Sequence, residues 1–221
     1  MWTLEKQGEV FVLRMNAGEN RFGSEAIRRW NELLDEVEAA AGPKALVTTG
    51  AGKFYSNGLD LDYMQSGEVE PGAYVESVLA IMSRLLTFPA ITVAAMNGHA
   101  FGAGAQIALA HDYRIMRKDR GYFCMPEIDL GMYLHPGMTA LIQARLPIQT
   151  AHEVIATGTR YSAELALDRS IVDRVEDEAS VVSSAVELAT GFAAKAAPVM
   201  SRLKGEMYPQ VLEAMASSLK P

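Results

Sequence analysis

Residues 91–131 decide the fold. They read Ile91-Thr92-Val93-Ala94-Ala95-Met96, then Asn97-Gly98-His99-Ala100-Phe101, then Gly102-Ala103-Gly104-Ala105-Gln106, and they close on Met125-Pro126-Glu127-Ile128-Asp129-Leu130-Gly131. The first six residues form an unbroken, mostly apolar run, the pattern of a buried strand. Asn97-Gly98 turns the chain. The small residues from Gly102 onward open a short helix that runs to about Ala110. Residues 113–116 and 121–124 read as two further short strands around a charged turn at 117–120.

The same alternation extends toward the N-terminus. Residues 10–15 read as a strand. Ser24 is placed to cap a helix, with Glu25 in the first turn. Ile27, Trp30, Leu33, Leu34 and Val37 then recur at helical spacing among Arg28, Glu32, Asp35 and Glu36. Gly42-Pro43 stops that helix, residues 45–49 read as a buried strand, and residues 51–58 as a polar loop. Residues 74–86 carry Val75, Val78, Leu79, Met82, Leu85 and Leu86 on one helical face, with Pro89 just beyond. From Gly137 the chain is mostly helical, punctuated by Gly158 and Pro198. Strands alternating with helices in the first half and helices in the second imply an α/β domain with a helical C-terminal part. The division falls between a core of residues 1–170 and a helical segment of residues 171–221.

Composition removes several function classes. Of 221 residues, 49% are hydrophobic and 21% charged, which suits a globular chain with a substantial core. A net charge of −7 argues against nucleic-acid binding, which needs phosphates neutralised by Lys and Arg. No apolar run approaches the length of a membrane span. Cys124 is the only cysteine, so no internal disulfide forms and a reducing compartment is suited. Residues 1–8 show no secretory signal and residues 218–221 no address signal, so the cytoplasm is the expected location. The His and Cys residues lack metal-ligand spacing, and Ser56 has no adjacent base for a nucleophilic triad. No metal and no separate cofactor are expected.

Two segments could carry chemistry. Phe54-Tyr55-Ser56-Asn57-Gly58-Leu59-Asp60 and the stretch from Gly98 to Gln106 are both rich in small residues and both run into helices. Small residues let a ligand approach the backbone. The free N–H groups of a helix's first turn point at whatever lies there, and two of them aimed at one oxygen form an oxyanion hole. Taken singly, each segment is an ordinary structural turn. Neither has the spacing of a dinucleotide or phosphate-loop motif.

The two segments in this order, followed by Met125-Pro126-Glu127, resemble the crotonase family, also called the enoyl-CoA hydratase/isomerase family. The resemblance spans about Val10 to Val175 and is strongest over residues 97–131. It implies a spiral of β-β-α units, assembly as a homotrimer or hexamer, and an acyl-CoA thioester as substrate, with coenzyme A carried in as part of that substrate. It further implies that the C-terminal helices complete the CoA pocket and the trimer. Carried over residue by residue, it places the oxyanion N–H groups at Leu59 and Ala103 and the acid/base at Glu127. Asp60 reads as the cap of the following helix.

Hydratases of the family use two glutamates. Gln106 stands in the first of these positions, and a neutral amide cannot act as a base. One carboxylate suffices to move a proton from C2 to C4 of a 3-enoyl-CoA, so the pattern is similar to the Δ3,Δ2-enoyl-CoA isomerases. Substrate contacts are expected from Lys53, which the resemblance assigns to CoA phosphates, and from Ser56, Asn57, Gly58, Gln106 and His135. Met125, Ile128, Leu130 and Met132 are candidate apolar walls around Glu127. His99 and His111 read as structural. Rival readings keep the same enolate for hydration, hydrolysis or decarboxylation, or keep acyl-CoA binding without turnover.

Overall fold

The computed structural model describes residues 2–217. The end of the expected helical segment, residues 218–221, lies outside the described residues. The chain opens with a hairpin of β1 (Thr3–Gln7) and β2 (Val10–Met15), which turns at Gly8 with φ +62°. Strand β1 is not expected from the sequence. Its Glu5, Lys6 and Gln7 are exposed, so no apolar period marks it.

Helix α1 (Ser24–Ala39) buries Trp30, Leu33, Leu34 and Val37. Its N-cap is Gly23, and Ser24, expected as the cap, is the first helical residue with no capping bond from its side chain. At the other end Lys44 Nζ donates to the carbonyls of Glu38 and Ala40, satisfying two of the helix's orphan acceptors.

Three strand–strand–helix turns follow. The first is β3 (Ala45–Gly50), β4 (Phe54–Ser56), α2 (Leu61–Gln65) and α3 (Pro71–Leu86). The second is β5 (Thr92–Met96), β6 (His99–Phe101) and α4 (Ala103–Ala110). The third is β7 (Tyr113–Arg117), β8 (Phe123–Cys124) and α5 (Glu127–Leu130). The first strand of each turn joins a six-stranded sheet of order β1-β2-β3-β5-β7-β9, and the second joins a three-stranded sheet β4-β6-β8. All these pairings are parallel except β1 with β2. The spiral of β-β-α units is therefore the fold. Strands β4 and β6 lie inside segments that read as loop and turn, because runs of three residues are too short to show a period.

The chain continues through α6 (Pro136–Arg145), α7 (Ile148–Thr157) and α8 (Ala163–Asp168) to β9 (Arg174–Glu176), then α9 (Val181–Thr190), α10 (Pro198–Met207) and α11 (Pro209–Ala216). Strand β9 pairs with β7, so the large sheet draws its last strand from beyond residue 170. That sheet is covered on both faces, and its side chains alternate accordingly. Val10, Val12, Ala45, Val47, Val93, Ala95 and Ile115 meet α9 through Val181, Ala185 and Ala189. Phe11, Leu13, Met15, Leu46, Ala94 and Met96 face the main core, where α1, α3 and α4 pack.

A buried polar chain ties the small sheet to the large one. His111 Nδ1 lies 2.8 Å from the carbonyl of Ile107, which can only accept, so Nδ1 carries the proton. Nε2 then accepts from Thr48 Oγ1 at 2.9 Å, and Thr48 in turn accepts from the Tyr55 hydroxyl at 2.8 Å. This chain needs a neutral imidazole, and burial pushes the His111 pKa down to about 3. The unfolded chain takes up a proton at this residue near pH 6.5, while the folded chain stays neutral. Stability from this group is thus full at neutral pH and is lost as pH falls from about 6.5 toward 3. The expected slope is about 1.4 kcal/mol per pH unit. Urea unfolding measured from pH 7 to 4 should show that slope, and His111→Gln should lower stability at pH 7 while flattening it.

Candidate active site

The two small-residue segments meet through their glycines. Gly58 has φ +83°, and a Cβ placed on it would lie 2.7 Å from the Phe101 carbonyl and 3.0 Å from Ala103 N. A Cβ on Gly104 would lie 2.4 Å from the Ser56 carbonyl. No side chain fits in either place, so backbone rests on backbone. Ser56, fully buried, fixes the first segment: its Oγ donates to the Asn20 carbonyl at 2.7 Å and accepts from Gly58 N at 3.2 Å. Asn57 is held by Glu19, through its backbone N–H and through Nδ2, each at 2.9 Å. Asp60 caps α2 by accepting from Tyr63 N.

The second segment enters α4 through Gly102, with φ +51°. All eight residues of α4 are buried, and Gln106 is its only polar side chain. Among the described residues, the N–H groups of Leu59 and Ala103 have no acceptor within the protein. Both border a cavity of about 360 Å³ whose lining includes Asn57, Leu59, Phe101, Gly102, Ala103, Gln106 and Glu127.

Glu127 is the first residue of α5 and is half-buried. A Cβ on Gly102 would lie 3.5 Å from its Oε1, so the carboxyl faces the turn into α4. Gln106 Nε2 donates to the same Oε1 at 3.4 Å, a long bond. Glu127 Oε2 and Gln106 Oε1 are both buried without a hydrogen-bond partner. Burial pushes the Glu127 carboxyl above its ordinary value, opposed by its own backbone N–H and by Gln106. A carboxyl raised in this way has the chemistry of a general acid or base.

Other expected residues lie elsewhere. His135 is buried and caps α6, with Nδ1 accepting from Gly137 N at 3.0 Å and Nε2 lying 3.0 Å from the Ser217 carbonyl. It does not line the cavity. Lys53 is exposed with its Nζ 5.2 Å from the Phe54 ring centre, also outside the cavity. Leu130 and Met132 are walls, whereas Met125 belongs to the core and Ile128 points to solvent.

The reading of the sequence missed Arg21, Leu61, Asp62, Phe101, Tyr133, Leu134 and Met138 among the lining residues. Arg21 and Asp62 pair across the mouth at 3.2 Å. Tyr133 is fully exposed there, and Leu130 more than half exposed. A fully exposed tyrosine beside a half-exposed leucine makes an apolar rim, which only the surface of the folded chain reveals.

Comparison with known proteins bears on this geometry. Residues 5–220 match the family described as "Enoyl-CoA hydratase/isomerase". Enoyl-CoA delta isomerase 2, peroxisomal, of Arabidopsis thaliana is 36% identical, covering 96% of this chain and 93% of the relative. Carnitinyl-CoA dehydratase of Salmonella agona is 34% identical over 74% of this chain and 62% of the relative. The crystal structure of an enoyl-CoA hydratase from Mycobacterium ulcerans superposes with a TM-score of 0.88 at 25% identity, covering 97% of this chain and 94% of the other. With the family's spiral, its two touching loops and a match along nearly the whole sequence, this chain belongs to the enoyl-CoA hydratase/isomerase family.

Proposed function

We propose that this protein converts 3-enoyl-CoA thioesters to 2-trans-enoyl-CoA. One observation carries the reading: Glu127 lines the cavity with its carboxyl beside the turn into α4, and the position next to it holds the neutral Gln106. The cavity's other carboxylate, Asp62, lies at the mouth paired with Arg21. There is one base near the turn into α4, and a double-bond shift needs one.

The thioester oxygen sits between the N–H groups of Leu59 and Ala103. The Glu127 carboxylate takes the proton from C2, and the C–H electrons flow into the thioester to give a dienolate whose negative charge those two N–H groups hold. The same carboxyl then returns the proton to C4. The C3–C4 double bond is lost and the C2–C3 double bond forms, with atoms and charge conserved. The acyl tail runs along Leu130, Met132, Tyr133 and Leu134. Lys53, outside the cavity, is available to the CoA phosphates. The names of the Arabidopsis relatives, enoyl-CoA delta isomerases at 35–36% identity, support this reaction.

The C-terminal helices supply an oligomer contact in this reading. Val199, Leu203 and Met207 recur every fourth residue on α10 and are each more than half exposed, an apolar stripe suited to a homotrimer interface. The lone buried thiol, Cys124, suits a reducing compartment such as the cytoplasm.

Hydration is the second reading, favoured by the dehydratase name of other relatives. It needs a second carboxylate where Gln106 stands.

Purified protein should turn over a 3-enoyl-CoA while leaving a 2-enoyl-CoA unhydrated. Glu127→Gln should lower kcat by about 10²–10⁴-fold with CoA-ester binding retained, the usual weight of a positioned acid/base; full activity in that variant would sink the mechanism. Gln106→Glu should acquire measurable hydration. Gly104→Ala should push the two loops apart, costing about 1–3 kcal/mol in thermal unfolding and most of the turnover.

A further inference from the structure

Gln106 is the only polar side chain of a helix that is otherwise Gly, Ala, Ile and Leu, and it is fully buried. Burying a primary amide is costly unless its groups are bonded. Its Oε1 has no partner, and its Nε2 has one acceptor, Glu127 Oε1. The two oxygens of Glu127 are thereby made unequal. Oε1 is turned toward the amide and toward Gly102, while Oε2 is left free and buried. A carboxyl with both oxygens free rotates about its last torsion, which has a broad profile. One held through Oε1 keeps Oε2 in a fixed place.

We propose that Gln106 is a positioning residue: its amide N–H donates to Glu127 Oε1 and so sets the orientation of the carboxyl that carries the proton at both ends of the transfer. This rests on the assignment of Glu127 as the acid/base. It gives Gln106 a task that an apolar residue of the same size could not perform.

Groups that could confuse a pH test are few. Arg21 and Asp62 pair at the mouth, Tyr133 is on the exposed rim, and Asp129 lies on α5 itself. On β8, burial pushes the Cys124 thiol up to about 11, outside the working range. On α7, which packs against α5, Glu153 pairs with Arg169 and His152 lines a groove with Thr139 and Gln143. The charge state of Glu127 answers to burial, to its own backbone N–H and to Gln106. Losing the amide N–H removes an interaction that favours the carboxylate, so the carboxyl of the variant titrates at higher pH.

The test is Gln106→Met, close in size and lacking the donor, assayed with a 3-enoyl-CoA deuterated at C2 across a pH series. Gln106→Asn, which withdraws the amide by one carbon, and Glu127→Gln run beside it. Gln106→Met is expected to lower kcat about tenfold with KM changed less than about twofold, to move the acid limb of kcat/KM to higher pH, and to reduce the deuterium delivered to C4. Gln106→Asn should fall between it and the parent protein. An acid limb and a deuterium yield unchanged in Gln106→Met would overturn the proposal, even if kcat fell, because a space-filling role moves neither. Should Gln106→Met fail to fold, the same two readouts on Gln106→Asn decide. Retained activity in Glu127→Gln would instead remove the underlying assignment, so the two failures are distinct.

Discussion

The approach of two stretches of bare backbone is the constraint on which the rest depends. Gly58 stands against Phe101 and Ala103, and Gly104 stands against Ser56, at separations that admit no Cβ. Backbone that close must be fixed by its surroundings. Asn20 and Ser56 brace the first stretch, and the burial of every residue in α4 fixes the second. The result is that Leu59 and Ala103 line the same cavity, their N–H groups without acceptors among the described residues. A pair of donors left open in this manner is destabilising in the empty protein and valuable only when a ligand oxygen arrives.

The spiral explains how the two stretches come together. Each turn places one strand in the large sheet and the next in the small one, and the small sheet stacks β4, β6 and β8 in parallel. The chain after each of those strands leaves from the same edge. The turn after β4 yields Leu59, the turn after β6 yields Ala103, and the turn after β8 yields Glu127. Three segments far apart in sequence are thus delivered to one cavity by a repeated topology. The Tyr55–Thr48–His111 chain locks the two sheets at a fixed offset behind it.

The polar economy of the site follows from its burial. The bottom of the cavity holds one amide and one carboxyl, and each keeps one oxygen without a partner. Such groups are rare in folded proteins because each costs the desolvation of a polar atom. Both residues line a cavity whose walls are otherwise mostly apolar and whose mouth carries the Arg21–Asp62 pair. Charge is kept at the rim and a single titratable group inside, which suits a proton transfer that begins and ends on the same substrate.

By itself the sequence determined the order of the longer elements, because helix period and unbroken apolar runs follow from local burial: α1, α3, β2, β3 and β5 all lie close to their expected bounds. The small residues at the turns after β4 and β6 were also legible as places of close backbone approach, which Gly58 and Gly104 make, while the grouping of Leu59, Ala103 and Glu127 came from the family resemblance. The three-residue strands were not, because a period cannot show in so short a run. Nor could the sequence separate Ser56 and His135, whose side chains are consumed in bracing and capping, from residues that face the cavity. Only the tertiary structure decided which atoms remain without partners, that Arg21, Asp62 and Tyr133 share the mouth, and that the large sheet takes its last strand from beyond residue 170. Those are questions of what lies across space from each atom, and burial and hydrogen bonding are settled there.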